Sequence, residues 1–109
     1  MLELTGSAKQ IEWATEIRNN FVVNCDKVIT KVQNGQASYV HPRVRARFCE
    51  MVAERRDALL EKQSNAAKWI DLRNSMTLSG VEQTIATRIQ SDEKAKAAMS
   101  APRQREVQA

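Results

Sequence analysis

Arg43, Arg45 and Arg47 stand on alternate residues directly after His41-Pro42. Guanidinium groups so grouped suit one chemistry, the bidentate gripping of phosphate or carboxylate. Their position sharpens the point. Pro42 is well placed as the first residue of a helix, and a helix N-terminus already carries about half a positive charge, so each cation in the first turn costs roughly 0.3 to 1 kcal/mol unless something negative offsets it. A negative group is therefore expected beside these residues. An acidic protein surface, a nucleoprotein complex or a nucleic-acid backbone would supply it, with His41 at the edge of the site. The competing reading is a solvated helix face partly neutralised by Glu50 and Glu54. On a helical projection Arg43 and Arg47 share a face and Arg45 lies across the axis, so the three cannot grip one ligand flatly.

Other chemistries find little support. His41 is the only histidine, and it lies in a loop with no adjacent nucleophile, so a catalytic role is not expected. Cys25 and Cys49 lack C-x-x-C spacing and read as reduced, buried thiols. Gly6, Gly35 and Gly80 stand singly at expected helix boundaries, where capping accounts for them, and they build no phosphate loop. No metal site, cofactor or enzymatic activity is expected. The carboxylates Glu50, Glu54, Asp57 and Glu61 fall within helical reach of cations, as in Arg47-Glu50, and read as surface pairs.

The elements that must carry the arginines follow from composition and periodicity. The chain has 109 residues, 42% hydrophobic and 28% charged, with few glycines and prolines and a formal net charge of +4. That balance suits one helical domain with a single core. Ser7-Ala8-Lys9-Gln10 fits a capping box. From there Ile11, Ala14, Ile17, Phe21, Cys25, Val28 and Val32 recur every three or four residues until Asn34-Gly35 ends the helix. Val44, Phe48, Met51, Val52, Leu59 and Leu60 form a second stripe to about Lys62, with Arg55, Arg56, Asp57 and Glu61 facing solvent.

Two long helices with a short connection are expected to lie antiparallel, Val32 beside Val44, Val28 near Phe48 and Ile17 near Leu59. Ser64-Asn65 caps a shorter third helix through Trp69 and Ile70, and Ser79 with Glu82 forms a second capping box ahead of Val81, Ile85 and Ile89. The expected fold class is all-α, a long antiparallel hairpin with one or two shorter helices. It forms one domain over residues 1–90, followed by a frayed helix and a disordered tail over 91–109.

Trp13 and Trp69 are expected to pack the third helix on the first, each burying ~150 to 250 Å². The alternative is an aromatic contact with a partner. The phrase Leu4-Thr5-Gly6-Ser7-Ala8-Lys9-Gln10-Ile11-Glu12-Trp13-Ala14-Thr15-Glu16-Ile17-Arg18, with Ala67-Lys68-Trp69-Ile70-Asp71-Leu72-Arg73 later, resembles small uncharacterised bacterial and phage proteins with an LTGS-x-KQI-x-WA-x-x-IR opening and an A-x-W-I-D-x-R segment. The resemblance covers the N-terminal two-thirds, implies residence in bacteria or mobile elements, and brings no activity with it.

No segment approaches the ~20 apolar residues of a membrane span, and the N-terminus lacks the pattern of a signal peptide, so a cytoplasmic protein is expected. The functional expectation is a non-catalytic binding protein acting through Arg43, Arg45 and Arg47, in one version a stoichiometric, anti-CRISPR-like inhibitor of a nucleic-acid machine. Direct DNA or RNA binding and a self-associating structural module are the alternatives, and a homodimer stays open.

Overall fold

The computed structural model describes residues 2–100. It is an all-α bundle: α1 (Ala8–Gln33), a 3₁₀ turn (Pro42–Val44), α2 (Arg45–Lys62), α3 (Ala66–Asp71), a second 3₁₀ turn (Arg73–Ser75), α4 (Leu78–Ile89) and α5 (Glu93–Ser100). The tail from 101 onward lies outside the described residues. No helix among those described is long and apolar enough to cross a membrane.

α1 starts as its sequence predicts. Ser7 Oγ accepts from the Gln10 amide at 3.2 Å, and the Gln10 side chain accepts from the Ser7 amide at 3.0 Å, which satisfies two of the amides a helix start leaves without partners. Its buried face is Ala14, Ile17, Phe21, Cys25, Val28 and Val32, the expected stripe apart from Ile11, which is only partly buried. α1 packs against α2, α3 and α4, and the core gathers there around Trp69, Phe21, Phe48, Val52 and Ile85. Cys49 Sγ lies 3.7 Å from the Ile29 carbonyl and Arg56 pairs with Asp26 at 3.2 Å, contacts consistent with an antiparallel α1–α2 hairpin. Both cysteines are free and buried, and burial raises their thiols, Cys25 to about 11.

The two phrases that head the chain and the third helix meet in space. The Thr5 amide donates to the Ser64 carbonyl at 2.8 Å and the Ala66 amide to the Thr5 carbonyl at 2.9 Å, while Asn65 Oδ1 caps α3 through the Ala67 amide at 2.9 Å. This clasp holds α3 on α1, and Trp69 closes the space beneath it. Trp69 is fully buried, its ring 5.9 Å from that of Phe21 and its indole N–H donating to the Gln63 carbonyl at 2.9 Å.

Two expectations are corrected. α4 begins at Leu78 with Thr77 as its cap, the hydroxyl accepting from the Gly80 amide at 3.1 Å, rather than at Ser79. Gly80 thus lies inside the first turn and not at a boundary. A Cβ there would stand 2.4 Å from the Asn74 carbonyl oxygen and 2.7 Å from Ser75 Cα, so glycine is what lets α4 press against the preceding 3₁₀ turn. Arg55, expected in solvent, turns inward, its guanidinium 5.5 Å from the Phe21 ring centre. Arg55 Nη1 is buried without a hydrogen-bond partner among the described residues, and burial followed by the neighbouring Arg88 charge lowers its pKa.

Candidate functional site

His41 caps the 3₁₀ turn, Nδ1 accepting from the Arg43 amide at 3.1 Å, and Pro42 fills the first position of that turn. α2 follows at Arg45 with no acid in its first turn. The negative group expected beside the arginines is present in the same chain. Arg47 Nε lies 2.8 Å from Asp92 Oδ2 and Arg47 Nη2 lies 2.9 Å from Asp92 Oδ1, a bidentate pair of the strong, geometrically specific kind. Arg47 Nη1 adds Glu54 at 2.9 Å and Glu50 at 3.8 Å. Only 13% of the Arg47 side chain and 16% of the Asp92 side chain remain exposed. The hydrogen bond to Asp92 is the chief reason Arg47 is held above its usual range, and the same bond, with that from the Ala95 amide, draws Asp92 down to about 2.

Asp92 also sits at the head of α5, where its carboxylate accepts from the Ala95 amide at 2.9 Å. At the other end of α5, Arg43 Nη1 donates to the Met99 carbonyl at 2.9 Å. Arg43 and Arg47, the two that share a face, therefore hold the two ends of one short helix. Arg45 points elsewhere. Its guanidinium lies across Gly35, where Nη2 would stand 3.2 Å from an added Cβ, and its Nε is buried without a partner among the described residues. The three arginines are thus divided between two structural tasks and do not converge on one open surface.

A second fastening binds the loop after α1 to α4. The Tyr39 hydroxyl donates to the Glu82 carboxylate, and Lys31 Nζ lies 3.1 Å from the same oxygen and 5.8 Å from the Tyr39 ring centre. The Tyr39 ring meets Phe48 edge-on at 6.1 Å. Burial and the Glu82 hydrogen bond raise the Tyr39 hydroxyl pKa.

The tryptophans part company. Trp69 is core, whereas Trp13 is 49% exposed under the guanidinium of Arg73, 5.5 Å from its ring centre. Trp13 heads a stripe of exposed α1 residues, Glu16, Asn20, Val23 and Lys27. Beside it, between α1 and the start of α4, runs a groove of about 430 Å³ lined in part by Asn20, Val23, Lys27, Arg73 and Leu78. Val23 is 49% and Leu78 39% exposed. The Asn24 amide crosses the groove floor and donates to the Met76 carbonyl at 2.9 Å, which fixes its depth.

Arg73, Val23 and Leu78 are members of this face that the sequence did not announce. For Trp13 the signal was a border position: four residues before Ile17, it falls about 40° outside the edge of the buried stripe. Among the described residues no cluster of three or more His, Cys, Asp or Glu side chains could hold a metal ion. No family model matches this chain, and neither a curated protein nor a solved structure shows significant similarity to it.

Proposed function

We propose that the protein is a non-catalytic helical binding module whose working surface is the exposed face of α1, with Trp13 as its anchor. The observation that carries this reading is the half-exposed indole held beneath Arg73 at 5.5 Å. A ring fixed in this way loses little freedom on binding, and Trp and Arg are the side chains that most often dominate protein–protein contacts. Val23 and Leu78 extend the apolar area, and the groove beside them offers relief that a flat helix surface lacks.

Binding through Arg43, Arg45 and Arg47 is less favoured, because two of these side chains already hold α5 and an acidic partner would have to displace it. Should the gene reside in a phage or mobile element, stoichiometric inhibition of a host complex is one form such binding would take.

A photoreactive side chain placed at Val23 or at the exposed Ala46 of α2 tests the reading in cells. Higher-mass adducts are expected from position 23, and they should vanish when Trp13 is replaced by alanine. Adducts from position 46 that persist without Trp13, with none from 23, would refute it.

A further inference from the structure

The stripe on α1 is complementary to itself. Glu12, Trp13, Glu16, Asn20, Val23 and Lys27 are all exposed and lie within an arc of about 100° on the helix surface. Its acids fall in the first half and its base in the second. Among the described residues neither Glu16 nor Lys27 has an ion-pair partner, although Lys31 and Arg56 nearby do. In a helix pair running antiparallel, each residue of one copy faces a residue of the other at a constant sum of positions. Two-fold symmetry then makes every contact twice.

Taking the binding face described above as given, we infer that its occupant is a second copy of this chain, the two α1 helices crossing antiparallel so that Glu16 of each copy meets Lys27 of the other.

The two-fold axis of this arrangement passes level with Phe21 and Val22. Asn20 then faces Val23 of the second copy at the centre. A parallel pair would set Glu16 against Glu16 and Lys27 against Lys27. An antiparallel pair slipped by seven residues would set Lys9 against Lys27.

A separate feature supports the same register. It brings Trp13 of one copy level with Thr30 of the other, where a depression of about 360 Å³ is lined by Val23, Asp26, Lys27, Thr30, Lys31 and Gln36. That depression suits an indole. Its near wall sets the aliphatic stems of Lys27 and Lys31 beside the ring, and its Asp26 and Gln36 side chains carry acceptors for the indole N–H. Two buried tryptophans and two Glu16–Lys27 contacts make a small interface, so the dimer should dissociate at roughly micromolar concentrations.

Sedimentation of the purified full chain across a wide range of concentration tests the inference, with circular dichroism to verify that each variant is folded. The wild type should show a reversible monomer–dimer equilibrium, and W13A should weaken it at least ~10-fold. E16K and K27E each place like charges opposite one another at both contacts, so each alone should remain monomeric. Their equimolar mixture should recover a dimer containing one of each.

A wild type that stays monomeric at every concentration overturns the inference, as does E16K or K27E dimerising like the wild type. If the wild type is monomeric while position 23 still gives Trp13-dependent adducts with another protein in cells, the binding face stands and the second copy is not its occupant. If position 23 gives no adduct of either kind, both readings fail together.

Discussion

The start of α2 and the outer face of α1 show opposite relations between sequence and exposure. At the start of α2 a concentration of charge looks like a surface waiting for a ligand, yet Arg47 is only 13% exposed and bound by Asp92, 45 positions along the chain. On α1 a tryptophan looks like core, yet Trp13 is 49% exposed while Trp69 is fully buried. Charge along the chain says that compensation is needed but not where it comes from. An aromatic side chain promises apolar contact but not which molecule supplies it.

The tryptophans give the largest expected difference. Trp69→Ala removes a fully buried indole, its contact with Phe21 and its bond to Gln63, and should lower stability by about 3 to 5 kcal/mol. Trp13→Ala removes a ring that is already 49% exposed, with its Arg73 contact, and should lower stability by no more than about 1 kcal/mol. Urea unfolding of both variants measures the pair. Equal losses would place the two rings in equivalent environments and erase the contrast.

Gly80→Ala comes next, because it bears on how the groove is built. The added methyl meets the Asn74 carbonyl and Ser75 backbone, atoms that cannot rotate away, so a loss of about 1 to 3 kcal/mol is expected. Amide shifts should concentrate at residues 74–80, around the groove wall that carries Leu78. A variant as stable as the wild type would mean that α4 does not press on the turn.

Arg47→Ala should act locally. It leaves the Asp92 carboxylate without its main partner, so hydrogen exchange should quicken most at the α5 amides of residues 96–98 and much less at those of α1 residues 17–28. Uniform loss of protection would mean that the arginine supports the whole core instead.

The smallest effect is a dependence on pH. Asp92 titrates at about 2 in the folded chain against an ordinary 3.8, so the stability it contributes is complete above pH ~4 and is lost as the pH falls toward 2. Protection of α5 should decline across that window. Asp92→Asn should flatten the decline. A profile unchanged by the substitution would show that other carboxylates carry it.

Much of the framework was legible in the sequence because it is local. The Ser7–Gln10 capping box, the six-residue buried stripe of α1 and the end of that helix at Asn34-Gly35 depend on residues within a turn or two of each other. The start of α4 was misread by two positions because Thr77 and Ser79 both make good caps. What favoured Thr77 is the contact of Gly80 with Asn74 and Ser75, and that contact exists only in the folded chain.

Arg55 was misplaced for a related reason. Its charge argues for solvent although Met51, Val52 and Leu59 flank it at helical spacing, and the Phe21 ring that receives it comes from α1. The arginine segment was correctly recognised as short of negative charge, and Asp92 supplies that charge only because α5 docks where it does. Trp13 was a border case for the periodicity, since Ile11, Ala14 and Ile17 define a buried side whose edge it adjoins.

One comparison tests the central claim most directly: thermal midpoint and self-association measured together on Trp13→Ala and Arg47→Ala. The account predicts that Trp13→Ala keeps the midpoint and loses association, while Arg47→Ala lowers the midpoint and associates like the wild type at temperatures where it is folded. An Arg47→Ala protein that is fully stable but no longer associates, beside a Trp13→Ala protein that still does, would contradict it.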